Sequence, residues 1–106
     1  MSSSLPLERL NEQYRKVEEE LQRLRDQKKS VDEKFSSILE EEKNLVEEMR
    51  KCRDPYQYSK MDARLNIISR SRREVESEKE KVERKIRGYE EELVRIGKRI
   101  GYLKPR

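Results

Sequence analysis

The side chains of this sequence that could take part in chemistry are almost all charged groups. Asp, Glu, Lys and Arg make up 47% of its 106 residues, there is no His, and Cys52 is the single cysteine. This inventory excludes a histidine-dependent zinc site, a cysteine-based metal site and an intramolecular disulfide. The sequence has no glycine-rich phosphate loop and no nucleophile beside a base. We therefore expect no enzymatic activity, no cofactor, no metal and no small-molecule substrate.

One short stretch in the middle of the chain gathers side chains that are suited to binding. Its members are Arg50, Arg53, Tyr56, Tyr58 and Lys60. Tyr and Arg are favoured at the centre of protein interfaces, and basic residues beside aromatic rings could also grip phosphates and stack on bases. Alternatively, the two tyrosines only pack on each other and on helix ends. The pattern leaves the three interpretations open and favours nucleic-acid binding least.

Pro55 marks a break in the chain at this stretch. A proline inside a helix costs roughly 3 kcal/mol, because it lacks an amide hydrogen and clashes with the preceding turn, and it disfavours the helical conformation for Asp54. Proline is accepted in the first turn of a new helix, which the Asp54 carboxylate could cap. We predict that one helix ends near Cys52 or Arg53 and that a second begins directly after the break.

Apolar residues recur in steps of three and four on both sides of the break, which is typical of a coiled-coil seam. Before the break the seam positions are Leu7, Leu10, Tyr14, Val17, Leu21, Leu24, Lys28, Val31, Phe35, Ile38, Glu42, Leu45, Met49 and Cys52. After it they are Tyr58, Met61, Leu65, Ile68, Arg72, Val75, Lys79, Val82, Ile86, Tyr89, Leu93, Ile96, Ile100 and Leu103. The two seams are out of phase across Pro55, so one continuous coiled coil would need a discontinuity there.

Folding the second seam back on the first brings every layer into order, with Met49 opposite Met61 near the turn. We therefore predict an all-α fold, a long antiparallel coiled-coil helical hairpin of two helices. Gly97 and Gly101 predict that the second helix frays near its end. The predicted ranges are a flexible tail at 1–6, a single domain at 7–103 with helices at 7–53 and 56–102 and a turn at 53–57, and a second tail at 104–106.

Four charged residues interrupt the two seams, and they would set the register of the hairpin. Glu42 and Arg72 fall in adjacent layers of the folded-back arrangement, so their opposite charges could pair. Lys28 and Lys79 also fall in adjacent layers, but they carry like charge. We expect their ammonium groups to bend outward into water. If a second hairpin packs there, we expect its carboxylates to be their partners.

A lone hairpin buries a single seam, and this burial barely offsets the entropy lost on ordering the chain. Self-association would bury more apolar surface. Leu39 and Val46 widen the first seam on one side, and Ile67 lies outside the second seam. We predict that these three residues widen the apolar stripe enough for hairpins to pack as a four-helix bundle or larger homo-oligomer. Alternatively, they only broaden one seam.

The sequence also bears on where such a protein would work. No apolar run is long enough for a membrane span, and the first ten residues lack the apolar core of a secretory signal. The net charge is +4, with basic residues in excess after the turn. We expect a cytoplasmic protein, with the nucleus as the alternative.

Several known hairpins have a similar outline, including prefoldin subunits, the arm of seryl-tRNA synthetase and the FliJ-like export proteins. Prefoldin subunits resemble this chain in length and in their coiled-coil arms, but they need β-strands around the turn, which Asp54–Tyr58 cannot supply. The sequence assigns no family. We predict a non-enzymatic scaffold, adaptor or assembly subunit that binds a protein partner at its turn. The alternatives are a nucleic-acid-associated protein that uses the basic second arm and the turn, and a holdase-type chaperone.

Overall fold

The computed structural model describes residues 5–104, and within that range the chain forms two α-helices and no strand. Helix α1 spans Leu5–Lys51 and helix α2 spans Pro55–Leu103. The all-α helical hairpin predicted from the seams is confirmed. Helix α1 begins and ends two residues before its predicted limits, and Leu5 and Pro6, predicted to be tail, are helical because proline fits a first helical turn. The rest of the first tail, 1–4, and residues 105–106 lie outside the described range.

The turn consists of Cys52, Arg53 and Asp54, and Asp54 caps α2 as its position before Pro55 predicts. Its carboxylate Oδ1 accepts a hydrogen bond from the amide of Tyr56 at 3.0 Å. Its carbonyl accepts the first backbone bond of α2, from the amide of Tyr58 at 2.9 Å. The Cys52 thiol donates to the same carbonyl over 3.4 Å. The Asp54 carboxylate therefore occupies one of the amides that the first turn of the new helix leaves without a backbone partner, which stabilises the reversal of the chain.

The chain divides into two compact units, each of which contains part of both helices. The turn unit comprises residues 29–81. Its buried cluster consists of Leu45, Met49 and Ile68, with Ile38, Met61 and Leu65 packed against it. Seam residues of α1, before the turn, thus pack against seam residues of α2, after it. This is the antiparallel pairing that the seams predict.

The terminal unit contains residues 5–28 and 82–104 of the described chain. Its buried cluster is formed by Leu21, Leu24, Val82 and Ile86, with Tyr89 and Leu93 against it. Helix α2 continues through both glycines to Leu103, one residue beyond its predicted end. Buried Ile96 holds this part of α2 in place. The last seam residue, Leu103, is nevertheless exposed.

Neither helix, over the residues that the structure covers, has a stretch long and apolar enough to pass through a membrane. Each helix instead has one narrow apolar seam, and its other faces carry charged residues. Ten hydrophobic side chains are buried and no polar or charged side chain is buried within the described range. The chemistry of the molecule therefore lies on its surface.

Candidate protein-interaction surfaces

The two tyrosines at the turn are exposed to solvent. Tyr56 is 64% exposed and Tyr58 is 45% exposed. Tyr58 is the first position of the second seam, but its ring is not buried. The exposure also weighs against the interpretation in which both rings only pack on the helix ends. Large exposed rings at a fixed turn are available for contact with another molecule.

The predicted binding residues of the turn fall into two groups. Lys60 places its Nζ 4.5 Å from the centroid of the Tyr56 ring, one helical turn along α2. Tyr58 lines a separate shallow hollow together with Arg53, Asp54 and Asp62. Tyr58 follows Tyr56 by two residues, so the two side chains are about 200° apart around the helix. The two rings therefore lie on different faces of the turn.

Arg50, the fifth predicted residue of the turn, forms an ion pair within α1. Its Nη1 lies 3.4 Å from Oε1 of Glu47, and both side chains are more than half exposed. Exposed pairs at this spacing contribute little to stability. Arg50 therefore remains available for a partner.

Two of the four charged seam residues, Glu42 and Arg72, pair with each other across α1 and α2. Nε of Arg72 donates to Oε2 of Glu42 at 3.0 Å, and the hydroxyl of Ser69 donates to the same oxygen at 3.1 Å. The Arg72 side chain is 32% exposed and that of Glu42 is 24% exposed. Arg72 also lies 3.8 Å from Glu76 on its own helix. These partly buried contacts tie one turn of α1 to one turn of α2.

Lys79 finds its partners inside the same chain. Its Nζ lies 3.3 Å from Oδ1 of Asp32 and 5.2 Å from the centroid of the Phe35 ring. Lys79 therefore already has a carboxylate partner within its own chain, on the other helix. The long side chain reaches across the seam to a carboxylate at its edge, while its stem covers apolar surface. Lys28, the fourth charged seam residue, is half-buried.

Two adjacent hollows lie on one flank of the turn unit, which we call the Ile67 flank. The first hollow has Ile38, Ile68 and Val75 as apolar lining, with Ile67, itself 63% exposed, also lining it. Lys34, Glu41, Ser71 and Glu74 supply its polar lining. The second hollow is lined by Glu41, Asn44, Leu45, Glu48, Arg64 and Ile68. The two hollows share Glu41 and Ile68 and are therefore continuous.

Leu39 and Val46 lie on the opposite flank, which we call the Leu39 flank. Leu39 precedes Glu41 by two residues, which places it about 160° away around α1. Val46 follows Leu39 by seven residues and lies on the same face. Leu39 is 42% exposed and Val46 is half-buried. The structure thus separates Ile67 from the other two residues, and the three widen the apolar seam on opposite sides.

The terminal unit presents ion pairs between neighbouring turns of α1. Arg15 lies 2.7 Å from Glu19, and Arg23 pairs with Glu20. The hydrogen bonds that Arg23 donates, together with its positive charge, lower the pKa of Glu20 below its ordinary value. These groups are exposed, so the terminal unit carries a solvated charged face.

Two surface features were missed in the sequence. Val94 is 57% exposed and Tyr102 is 86% exposed. Both lie outside the seam positions, and this position was the sign in the sequence that they would be exposed.

Arg70, Arg73 and Lys81 line a shallow hollow on α2 together with Glu74 and Ser77. The basic groups of this arm are therefore interleaved with an acidic one.

No group of three His, Cys, Asp or Glu side chains within residues 5–104 is arranged to hold a metal ion. No protein-family model matches this chain, and neither the curated proteins nor the solved structures compared with it gave a match. The surfaces of the turn unit are therefore the basis for the proposed function.

Proposed function

We propose that this chain is a non-enzymatic coiled-coil scaffold or adaptor that acts through protein–protein contacts and self-association. The observation that carries the proposal is the exposure of Tyr56 and Tyr58 at a rigid, capped turn. Tyrosine supplies a large contact area at a small cost in side-chain entropy, and it is enriched at interface centres together with arginine. Arg53 lines the same hollow as Tyr58 and would add a charged contact.

The chemistry of the turn favours a protein partner over a nucleic acid. Asp54 and Asp62 line the hollow that contains Tyr58 and Arg53, and their carboxylates would repel phosphates. The ring of Tyr56 already has the ammonium of Lys60 over its face, where a base would have to stack. A protein surface with both apolar and charged groups fits this mixed site better.

Self-association is supported by apolar side chains that the hairpin leaves exposed or only half-buried. Leu39, Val46 and Ile67 all lie in the turn unit, where a second copy could cover them. Large exposed aliphatic groups on a narrow two-helix structure are typical of contact surfaces. Cys52 is a free thiol, which fits a reducing compartment. We propose the cytoplasm as the location, with the nucleus as the alternative.

A capture experiment tests the role of the turn. The intact chain and a Tyr56→Ala/Tyr58→Ala variant are immobilised and exposed to nuclease-treated lysate from the source organism, and bound proteins are identified by mass spectrometry. Tyr102→Ala is the matched control, because Tyr102 is an exposed tyrosine in the terminal unit. We expect a discrete protein that binds the intact chain and the control and is reduced at least tenfold with the double variant.

Loss of binding in both variants, or in neither, would contradict the role of the turn. A parallel titration with RNA and DNA oligonucleotides at increasing salt tests the alternative function. Tight binding that falls steeply with salt and is lost in Arg53→Ala/Lys60→Ala would favour a nucleic-acid-associated protein instead.

A further inference from the structure

We infer that copies of this chain pack side by side in the same orientation, with Leu39 and Val46 of one copy seated in the two hollows on the Ile67 flank of the next. The inference rests on the proposed self-association and specifies how it occurs. The occupant of the hollows is a second copy of this chain. The resulting assembly is an open lateral array.

The positions of the hollows along α1 match the positions of the two apolar side chains. On α1 the first hollow is lined by Lys34, Ile38 and Glu41, and Leu39 falls within that range. The second is lined on α1 by residues from Glu41 to Glu48, and Val46 falls within that range. A neighbour displaced sideways, without sliding along the helix, therefore brings each apolar side chain level with a hollow.

The sizes of the hollows follow the same order as the side chains. The first hollow has a volume of about 310 Å³ and would receive Leu39. The second has a volume of about 100 Å³ and would receive the smaller Val46. The two side chains are seven residues apart, which is about 10 Å along the helix, so both can enter at once.

Charges around the two surfaces are complementary in the same arrangement. Lys43 lies between Leu39 and Val46 on one flank, whereas Glu41 is the acidic residue shared by both hollows on the other. Residues two apart in a helix point in nearly opposite directions and differ in height by about 3 Å. Lys43 of one copy therefore meets Glu41 of the next.

The same relation holds for two further pairs of opposite charge. Glu48 and Arg64 line the second hollow. Arg50 follows Glu48 by two residues and Asp62 precedes Arg64 by two, so both lie on the other flank. Sideways packing in one orientation would thus place Arg50 near Glu48 and Asp62 near Arg64 of the neighbour. Complementary charges of this kind fix the orientation and register of an interface.

This arrangement is heterologous, because the contributing surfaces lie on opposite flanks of one molecule. Each copy then keeps one unused surface of each kind, and growth continues. The closed four-helix bundle predicted from the sequence would need one flank to contact itself. If the two-fold axis ran parallel to the helices, it would bring Lys43 near Lys43 or one set of hollows against another. In either orientation of the axis, a contact of one flank with itself would leave Leu39 or Ile67 uncovered.

Two surface variants test the inference by sedimentation velocity. Leu39→Lys/Val46→Lys removes the apolar side chains, and Asn44→Lys/Ile67→Lys obstructs the hollows. We expect each variant to be a monomer and their equal mixture to form a dimer of twice 12.9 kDa, because one intact surface of each kind remains. Val94→Lys is the control and should associate like the unmodified chain, and circular dichroism verifies that all variants remain helical.

Association of either variant alone, or a mixture that stays monomeric, would overturn the inference. If the unmodified chain associates and both variants associate equally well, the packing is wrong while self-association stands. If the unmodified chain is itself a monomer, the self-association in the proposed function fails as well.

Disulfide cross-linking gives a second readout that does not depend on disruptive substitutions. In a Cys52→Ser background, Leu39→Cys and Ile67→Cys are introduced singly and together and oxidised with copper phenanthroline in air. We expect a ladder of covalent multimers from the doubly substituted chain and monomer from each single one. Covalent dimers from a single cysteine variant would instead indicate a closed, isologous contact.

Discussion

At the scale of single residues, the contact that best explains the register is the ion pair between Glu42 and Arg72. It joins α1 to α2 at 3.0 Å, and Ser69 donates a second hydrogen bond to the same carboxylate oxygen. A slip of one heptad would separate these groups and leave both partly buried charges without each other. We therefore interpret the pair as a device that specifies pairing more than one that adds stability.

A double-mutant cycle with Glu42→Leu and Arg72→Leu measures this coupling. Each single change leaves one partly buried charge beside leucine, whereas the double change restores an apolar layer. We expect a coupling energy of about 1 kcal/mol that diminishes at high salt. Urea unfolding followed by circular dichroism gives the four free energies, and a coupling energy of zero would show that the pair does not link the helices.

Sequence reasoning at this scale succeeded where a residue interacts within its own layer and failed where a long side chain reaches farther. Adjacent layers were enough to bring Glu42 and Arg72 together. For Lys79, opposing positions along the seams did not reveal a partner within the chain, because Asp32 lies beside the seam and not in it. In the structure the four-carbon stem of Lys79 carries its ammonium to Asp32, at the edge of the seam.

At the scale of elements, the two helices are determined by the period of the seams and by the break at Pro55, where Asp54 caps α2. The period of the seam predicted both helices and their antiparallel register, because only one face of each helix is apolar. It did not resolve the two flanks beside that face. Leu39 and Ile67 were grouped as surplus apolar residues, although counting at 100° per residue places them on opposite sides of the hairpin.

Gly88 tests how much of α2 is stabilised by tertiary packing and how much by intrinsic propensity. A Cβ added at Gly88 meets no atom within 4 Å, so alanine fits without strain. We expect Gly88→Ala to raise the free energy of unfolding by up to about 1 kcal/mol, measured by thermal and urea unfolding.

The matched control for Gly88→Ala is Arg84→Ala, one helical turn earlier on α2. It exchanges one good helix former for another at an exposed position, and it should change stability only slightly. A loss of stability in Gly88→Ala, with the control unchanged, would indicate that this face of α2 is covered by another molecule.

At the scale of the whole molecule, the turn unit combines the features that the proposed function needs. It holds Tyr56 and Tyr58, the interhelical ion pairs and the two hollows, whereas the terminal unit presents ion pairs between neighbouring turns of one helix and the exposed side chains of Val94 and Tyr102. Exposed pairs of the latter kind contribute little to affinity or stability. The contacts with other molecules are therefore expected at residues 29–81.

The central claim is that this chain works as an assembly, and its mass in solution tests that claim most directly. Sedimentation equilibrium of the unmodified chain, over concentrations up to tens of micromolar at moderate salt, gives the weight-average mass. We predict a mass above the 12.9 kDa of one chain that keeps rising with concentration. A constant mass of 12.9 kDa over the whole range would contradict the account.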